Sequence, residues 1–231
     1  MWNGGARAIR IRPLNEVRRY YPDDGRIRIA GQSADYRRAW ARTEGGARWS
    51  VGAREGDMSA DEPLFERMAL IGLGLLGSSL ARVAKREGLA RHVAGSTRSP
   101  ETLERAFELG FLDSIHETPQ EVVAGADLVV LCSPVGTYGE LAAAIAPALR
   151  RGATVTDVGS VKQAVVRDVG PHIPEGVHLV PGHPVAGTEQ SGPDAGFAEL
   201  FEDRYCILTP PPGTDPQASS GFRNSGAAPV A

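Results

Sequence analysis

The sequence has very few lysines and cysteines and no long apolar run. Lysine occurs only at Lys85 and Lys162, so arginine supplies almost all of the positive charge. No apolar run approaches the roughly 18 residues of a membrane span, and the N-terminus lacks the apolar core of a secretory signal. The two cysteines, Cys132 and Cys206, fall in predicted strands, which favours buried free thiols. We therefore expect a cytoplasmic protein with no membrane partner.

The charge of the chain limits its partners further. A formal net charge of -3 over 231 residues does not favour nucleic acid as a partner. The charge is unevenly placed, because residues 1–57 carry 12 arginines against 7 acidic residues. That segment has two glycine pairs and no sustained helical period, which predicts a disordered extension. The alternative is a basic arm that binds an acidic partner. On the first interpretation, Met58 is the expected start of the protein.

From residue 68 onwards, short apolar runs alternate with helical patterns. The predicted strands are 68–71, 92–96, 114–116, 127–132, 153–157, 178–180 and 205–208. The predicted helices are 75–87, 101–109, a brief one after residue 118, 137–150 and 161–169. This alternation implies βαβ units, hence an α/β fold with a doubly wound, mostly parallel sheet. Residues 216–231 show no pattern and predict an unstructured tail after a domain spanning 58–215.

Several helix ends carry recognisable caps. Ser99 precedes a proline and predicts an N-cap, and Gly88 suits the position just after the first helix. The spacing Thr-x-x-Glu predicts a capping box that begins at Thr118 and a second that begins at Thr137.

The first predicted strand runs directly into a G-x-G-x-x-G turn, and a helical pattern follows. Gly72 permits the tight turn, Gly74 lets the backbone approach a pyrophosphate, and Gly77 lets the helix pack close to the sheet. The start of the helix, with Leu75 and Leu76, offers unpaired N–H groups to phosphates. Strand, turn and helix in this order are typical of dinucleotide binding. We expect a Rossmann-type NAD(P)-binding domain and predict no metal site.

The end of the second predicted strand bears on the choice of cofactor. A site that prefers NAD usually places Asp or Glu there, for the 2′-hydroxyl of the ribose. This chain has Ser96, Thr97 and Arg98 instead. Hydroxyls and a guanidinium suit a 2′-phosphate, which favours NADP, or the use of both NADP and NAD. The alternative is that Arg98 is an ordinary solvated residue before a helix.

Cys132, Ser133 and Pro134 lie at the end of the fourth predicted strand. In a doubly wound sheet this loop faces the nicotinamide half of the cofactor, so we expect it to form a wall of that site. A simple loop with a helix-starting proline is the alternative.

A histidine follows a later strand, in the glycine-rich loop 181–192. His183 lies where ligands bind at a sheet edge, and histidine is the side chain best suited to accept a proton near neutral pH. A hydride leaving a carbon that bears a hydroxyl needs such a base. A structural histidine that caps the loop is the alternative.

Three motifs together resemble the prephenate/arogenate (cyclohexadienyl) dehydrogenase family of tyrosine biosynthesis. They are the glycine turn continued by Ser-Ser-Leu, the segment D-V-G-S-V-K at 157–162, and the segment G-H-P-V-A-G-T-E at 182–189. The resemblance covers about residues 66–215. It implies NAD(P)-dependent oxidative decarboxylation, of prephenate to 4-hydroxyphenylpyruvate or of arogenate to tyrosine. Hydride passes to the nicotinamide and the ring carboxylate leaves as CO2.

The same resemblance implies roles for individual residues. His183 takes the proton of the C4 hydroxyl, and Ser160 orients His183 and contacts both cofactor and substrate. Glu189 shapes the substrate pocket and its charge balance. Lys162 supports the helix start or the pocket wall and has no catalytic role.

Members of the family continue into a helical domain, which supplies dimer contacts and an arginine for the substrate carboxylates. Residues 216–231 do not resemble that domain, so we expect a shortened form here and a homodimer for full-length members. Two alternatives stay open. One is another two-domain NAD(P)-dependent dehydrogenase, of the 3-hydroxyacid type. The other is a catalytically silent dinucleotide-binding fragment. The choice between prephenate and arogenate also stays open.

Overall fold

The computed structural model describes residues 10–13, 63–202, 204–212, 214–215 and 218. The predicted disordered extension, the expected start at Met58 and the predicted tail fall outside these residues, apart from Arg10–Pro13 and Ala218. Within the described ranges, no helix has the length and apolar character needed to cross a membrane.

The described residues form two sheets and a set of helices. The strands are β1 (Arg10–Pro13), β2 (Phe65–Ile71), β3 (Ala90–Ser96), β4 (Ser114–Ile115), β5 (Leu128–Leu131), β6 (Thr154–Asp157), β7 (His178–Leu179), β8 (Gly182–Pro184) and β9 (Tyr205–Leu208). The α-helices are α1 (Leu75–Arg86), α2 (Pro100–Glu108), α3 (Pro119–Val123), α4 (Tyr138–Ile145) and α5 (Lys162–Val169).

The larger sheet has six parallel strands in the order β4-β3-β2-β5-β6-β7. Strand order reverses between β2 and β5, which is the switch point where doubly wound folds bind their ligands. The α/β prediction is confirmed. Strand β5 is buried along its whole length, because helices cover both faces of the sheet.

Apolar layers on both faces of this sheet form the core. Successive residues of β2 point to opposite faces, so Ala69 and Ile71 join one layer while Met68 and Leu70 join the other. Leu70 is fully buried, and its side chain alone contributes about 1.5–3 kcal/mol relative to exposure. These layers fix the carboxyl ends of the strands along one edge.

The smaller sheet has the order β1-β9-β8, with β9 parallel to β1 and antiparallel to β8. Strand β8 differs from the sequence-based prediction, which placed a loop at residues 181–192. Its three residues include a glycine and a proline and carry no strand pattern of their own. Pairing with β9 gives them extended structure, with His183 opposite Ile207.

Three of the predicted caps are confirmed and one is wrong. Gly88 directly follows Glu87, the C-cap of α1, and has a φ of +61°. The Ser99 side chain accepts a hydrogen bond from the N–H of Thr102, and Thr118 forms a full capping box. Thr137 does not cap α4, because a 3-10 turn over Val135–Thr137 leads into the helix and the Thr137 hydroxyl bonds to the carbonyl of Pro134 instead. Helix α4 also ends before the predicted residue 150, since a proline-containing 3-10 turn follows at Ala146–Ala148.

The chain beyond β8 returns to pack on α1. The N–H of Phe197 donates to Ser79 Oγ at 3.1 Å. A methyl group on Gly196 would overlap Ser78 Oγ, so only glycine allows this approach. Leu200 and Phe201 then pack with α1 in a third apolar cluster. The loop that follows His183 is therefore anchored at its far end to the helix that begins at the glycine turn.

Candidate dinucleotide site and active site

The glycine turn lies between β3 and the loop after β5. The N–H of Gly72 donates to the carbonyl of Ser96 at 2.8 Å, and its φ of +101° lies in the region that favours glycine. A methyl group on Gly72 would stand 2.7 Å from the carbonyl carbon of Cys132 and from the nitrogen of Ser133. The turn therefore packs directly against the neighbouring loop at the switch point.

The other two glycines of the turn have opposite surroundings. A methyl group on Gly77 would overlap the carbonyl oxygen of Gly72, whereas one on Gly74 would meet nothing within 4 Å. Gly74 is the N-cap of α1. Among the described residues, no side chain caps the first-turn N–H groups, and that turn contains no acidic residue. Open space before uncapped N–H groups fits an anion such as a pyrophosphate.

The residues predicted to bind the ribose lie beside this turn at the end of β3. Ser96 is buried, Thr97 is half-buried and Arg98 is exposed. Across the described part of the chain, no ion pair involves Arg98. Its guanidinium can therefore pair with an anion without first breaking an ion pair to another described residue.

The loop after β5 forms the other side of the switch point. The N–H of Cys132 donates to the carbonyl of Ile71 at 2.7 Å, and Ser133 Oγ lies 2.9 Å from Thr137 Oγ1. Burial, and secondarily the charge of Asp157, raise the pKa of the Cys132 thiol. This cysteine can line a site but is not a thiolate near neutral pH.

His183 lies in β8, next to the carboxyl end of β6. Burial, followed by the nearby charge of Lys162, lowers its pKa, while the Asp157 carboxylate acts in the opposite direction. The imidazole is therefore neutral near neutral pH and able to accept a proton. It is half-buried, so one part of the ring reaches solvent.

A buried ion pair connects β6, α5 and β8 beside this histidine. Lys162 Nζ contacts Asp157 Oδ2, and the two side chains are 13% and 1% exposed. Asp157 accepts from the N–H of Gly182 at 3.2 Å and from the N–H of Gly159 at 2.8 Å. Lys162 also donates to the carbonyl of Gly182 at 2.6 Å. Burial raises the pKa of Asp157 and lowers that of Lys162, while their mutual contact favours the charged pair.

Sequence reasoning placed Lys162 at the helix start or the pocket wall but missed its pairing with Asp157. Two features could have indicated it. Asp157 is the only charged residue of the predicted strand 153–157, and Lys162 is one of only two lysines in the chain. Neither feature identifies Gly182 as the residue that both side chains contact, because Gly182 lies 20 residues beyond Lys162.

Ser160 and Glu189 lie on the surface. Both residues are exposed, Ser160 just before α5 and Glu189 in the loop beyond β8. Within the described ranges, no hydrogen bond joins either side chain to His183. Their predicted roles toward the substrate stay predictions.

Comparison with known proteins identifies the family. The family model described as "Prephenate dehydrogenase, nucleotide-binding domain" matches residues 80–224. The chain belongs to the family of prephenate dehydrogenase nucleotide-binding domains. The resemblance deduced from the three motifs is thereby confirmed.

Individual relatives agree with this assignment. The chain is 45% identical over 155 residues to the cyclohexadienyl dehydrogenase of Zymomonas mobilis, covering 67% of this chain and 53% of that protein. It is similar to Synechocystis arogenate dehydrogenase, with a TM-score of 0.63, 31% identity and coverage of 68% of this chain and 54% of that one. It is also similar to prephenate dehydrogenase from A. aeolicus in complex with hydroxyphenyl propionate and NAD+, with a TM-score of 0.62, 34% identity and coverage of 67% and 54%. The chain thus spans about half the length of these relatives.

Proposed function

We propose that this chain is the dinucleotide-binding half of a cyclohexadienyl dehydrogenase, and that His183 is its catalytic base. The observation that carries the proposal is a histidine of lowered pKa at the carboxyl edge of the sheet, the edge where the glycine turn follows β2. A neutral imidazole there can take the proton of a substrate hydroxyl as hydride leaves the same carbon.

The cofactor that fits this site is NADP or NAD. Its pyrophosphate would bind at the open N-terminus of α1, and its ribose beside the end of β3, where Arg98 favours a 2′-phosphate. When bound, the nicotinamide supplies the hydride acceptor. The residues proposed to bind it are Gly72, Gly74, Leu75, Leu76, Gly77, Ser96, Thr97, Arg98, Cys132, Ser133, Pro134 and Ser160.

The proposed substrate is prephenate or arogenate, which differ in a pyruvyl or an alanyl side chain. The similar proteins named above include an arogenate and a prephenate dehydrogenase.

As hydride leaves C4, His183 takes the hydroxyl proton. The ring carboxylate then departs as CO2, and the electron pair of its broken bond makes the ring aromatic. The C4 oxygen becomes a phenolate that can take the proton back from His183. Ser160 and Glu189 are proposed to contact the substrate.

We further propose a cytoplasmic location and a domain spanning residues 58–215. Both cysteines are free, which is usual where thiols stay reduced. A homodimer is proposed for the complete protein.

The decisive experiment assays the purified chain with prephenate and with arogenate, each with NAD and with NADP. Turnover that falls at least a hundredfold in His183→Asn, with dinucleotide binding unchanged by calorimetry, would support the proposal. Dinucleotide binding without turnover of either substrate would favour a silent binding module instead. Turnover of a 3-hydroxyacid alone would favour the other dehydrogenase class.

A further inference from the structure

A gain in stability alone does not explain why the Asp157–Lys162 ion pair is buried. Removing two charges from water is costly, and apolar replacements of buried pairs are often neutral or stabilising. Both side chains nevertheless lie at the edge of the sheet. Asp157 accepts from the N–H of Gly159, and both members of the pair bind backbone groups of Gly182.

The two contacts fix both polar groups of Gly182. Asp157 Oδ1 accepts from its N–H, and Lys162 Nζ donates to its carbonyl. A methyl group on Gly182 would stand 3.0 Å from the Asp157 carbonyl oxygen and 3.1 Å from Thr156 Oγ1, so the backbone lies close against β6.

This link matters because the chain changes sheets immediately before it. Strand β7 belongs to the six-stranded sheet, whereas β8 belongs to the smaller one. Two residues separate the strands. The regular ladder of the larger sheet therefore ends before Gly182, and the ion pair supplies the hydrogen bonds that join β8 to the end of β6.

We propose that Asp157 and Lys162 are positioning residues for His183: together they fasten the Gly182 peptide to the end of β6 and so fix where the next side chain, the imidazole, stands. The assignment of His183 as the base rests on the proposed function. The attachment of the Gly182 peptide to β6 does not depend on it. Without it, the strand pairing that holds β8 among the described residues is its antiparallel ladder with β9. A displacement of about 1 Å at a reacting group can cost on the order of 100-fold in rate.

The pair also sets the charge around the imidazole. Among the described residues, the charged groups that act on His183 are Lys162 from α5 and Asp157 from β6, while the Cys206 thiol from β9 contacts the backbone of His183. Lys162 lowers the pKa of His183 and Asp157 raises it. Loss of one partner must therefore shift the histidine in the opposite direction from loss of the other.

The test compares Lys162→Met and Asp157→Asn with Lys85→Met, a matched control that removes the exposed lysine paired with Asp113. NMR titration of the His183 ring should show a raised pKa in Lys162→Met and a lowered one in Asp157→Asn, with no change in the control. Amide exchange of Gly182 should accelerate at least tenfold in both variants. A variant that merely unfolds would move the histidine to its ordinary pKa in both cases.

The proposal can fail in ways that are distinct from failure of the proposed function. Unchanged Gly182 exchange, or a His183 pKa that moves in the same direction in both variants, overturns it whether or not the chain turns over any substrate. If neither variant folds, rapid exchange of the Gly182 amide in the unaltered chain overturns it, and slow exchange supports it. With an active protein, kcat should fall at least tenfold in both variants while dinucleotide affinity stays unchanged.

Discussion

A methyl group on Gly77 would overlap the carbonyl oxygen of Gly72, five residues earlier in the same turn. The first turn of α1 is therefore in direct contact with the backbone that leaves β2. Gly77 therefore has a structural role, whereas Gly74 is the glycine expected to leave room for the dinucleotide.

Gly77→Ala is expected to destabilise the fold, because the added carbon meets backbone rather than a movable side chain. Overpacking of this kind costs about 3 kcal/mol, measured as a loss of unfolding free energy in urea. Gly74→Ala is the matched comparison, since a methyl group there meets nothing within 4 Å. It should unfold like the unaltered chain and bind the dinucleotide at least about tenfold more weakly. Equal stability of the two variants would contradict this division of roles.

Arg98→Ala is expected to weaken NADP binding selectively. A charge-assisted hydrogen bond contributes about 1.5–3 kcal/mol, which corresponds to about ten- to a hundredfold in the dissociation constant. NAD binding should change less than about twofold, because NAD lacks the 2′-phosphate. Calorimetry with both dinucleotides measures the difference. Arg91→Ala, at the other end of β3, is the control. Equal losses for NAD and NADP would show that Arg98 does not recognise the phosphate.

Stability should decline in mild acid through His116. Its Nε2 lies 3.1 Å from Arg67 Nη2 and 3.2 Å from Ser114 Oγ. Burial, followed by the charge of Arg67, lowers its pKa. Protonation is therefore harder in the folded state, and unfolding free energy falls as the pH drops from about 6.5, the ordinary value, through the lower folded pKa.

His116→Gln should reduce this pH dependence in urea titrations at about pH 8 and about pH 5. Part of the pH dependence of the unfolding free energy will remain, because the pKa of His183 is lowered as well. An unchanged slope between the two pH values would exclude His116 as a contributor.

Gly196→Ala should detach the returning segment from α1, because the methyl group would overlap Ser78 Oγ. We expect a loss of about 1–3 kcal/mol in unfolding free energy and faster proteolysis between β8 and residue 201. Gly187→Ala, in the same loop but with nothing within 4 Å of the added carbon, should cost less than about 0.5 kcal/mol. Comparable losses in both variants would mean that the loop tolerates no side chain at all.

The sequence predicted the parts of the fold that depend on local pattern. The glycine turn, the Ser99 cap and the capping box at Thr118 all lie where expected, because each needs only a few neighbouring residues. Thr137 shows the limit of such patterns. Its spacing matches a capping box, but its backbone is already helical, so its side chain cannot reach the N–H groups that a cap serves.

The remaining differences come from partners distant in the chain. Strand β8 exists because β9 pairs with it, and the local sequence around Gly182 does not predict that pairing. The same applies to the buried ion pair, in which Lys162 spans from Asp157 to a carbonyl of β8. The candidate base was predicted from residue type and position, but its electrostatic surroundings required the tertiary structure.

The burial of Lys162 has a practical consequence in a chain with two lysines. Lys85 is 38% exposed, whereas Lys162 is 13% exposed and engaged on two sides. An amine-reactive reagent should therefore modify Lys85 at once and Lys162 only when β8 separates from β6. The rate at which Lys162 is labelled, measured by mass spectrometry on the native protein, therefore reports the rate of local opening beside His183.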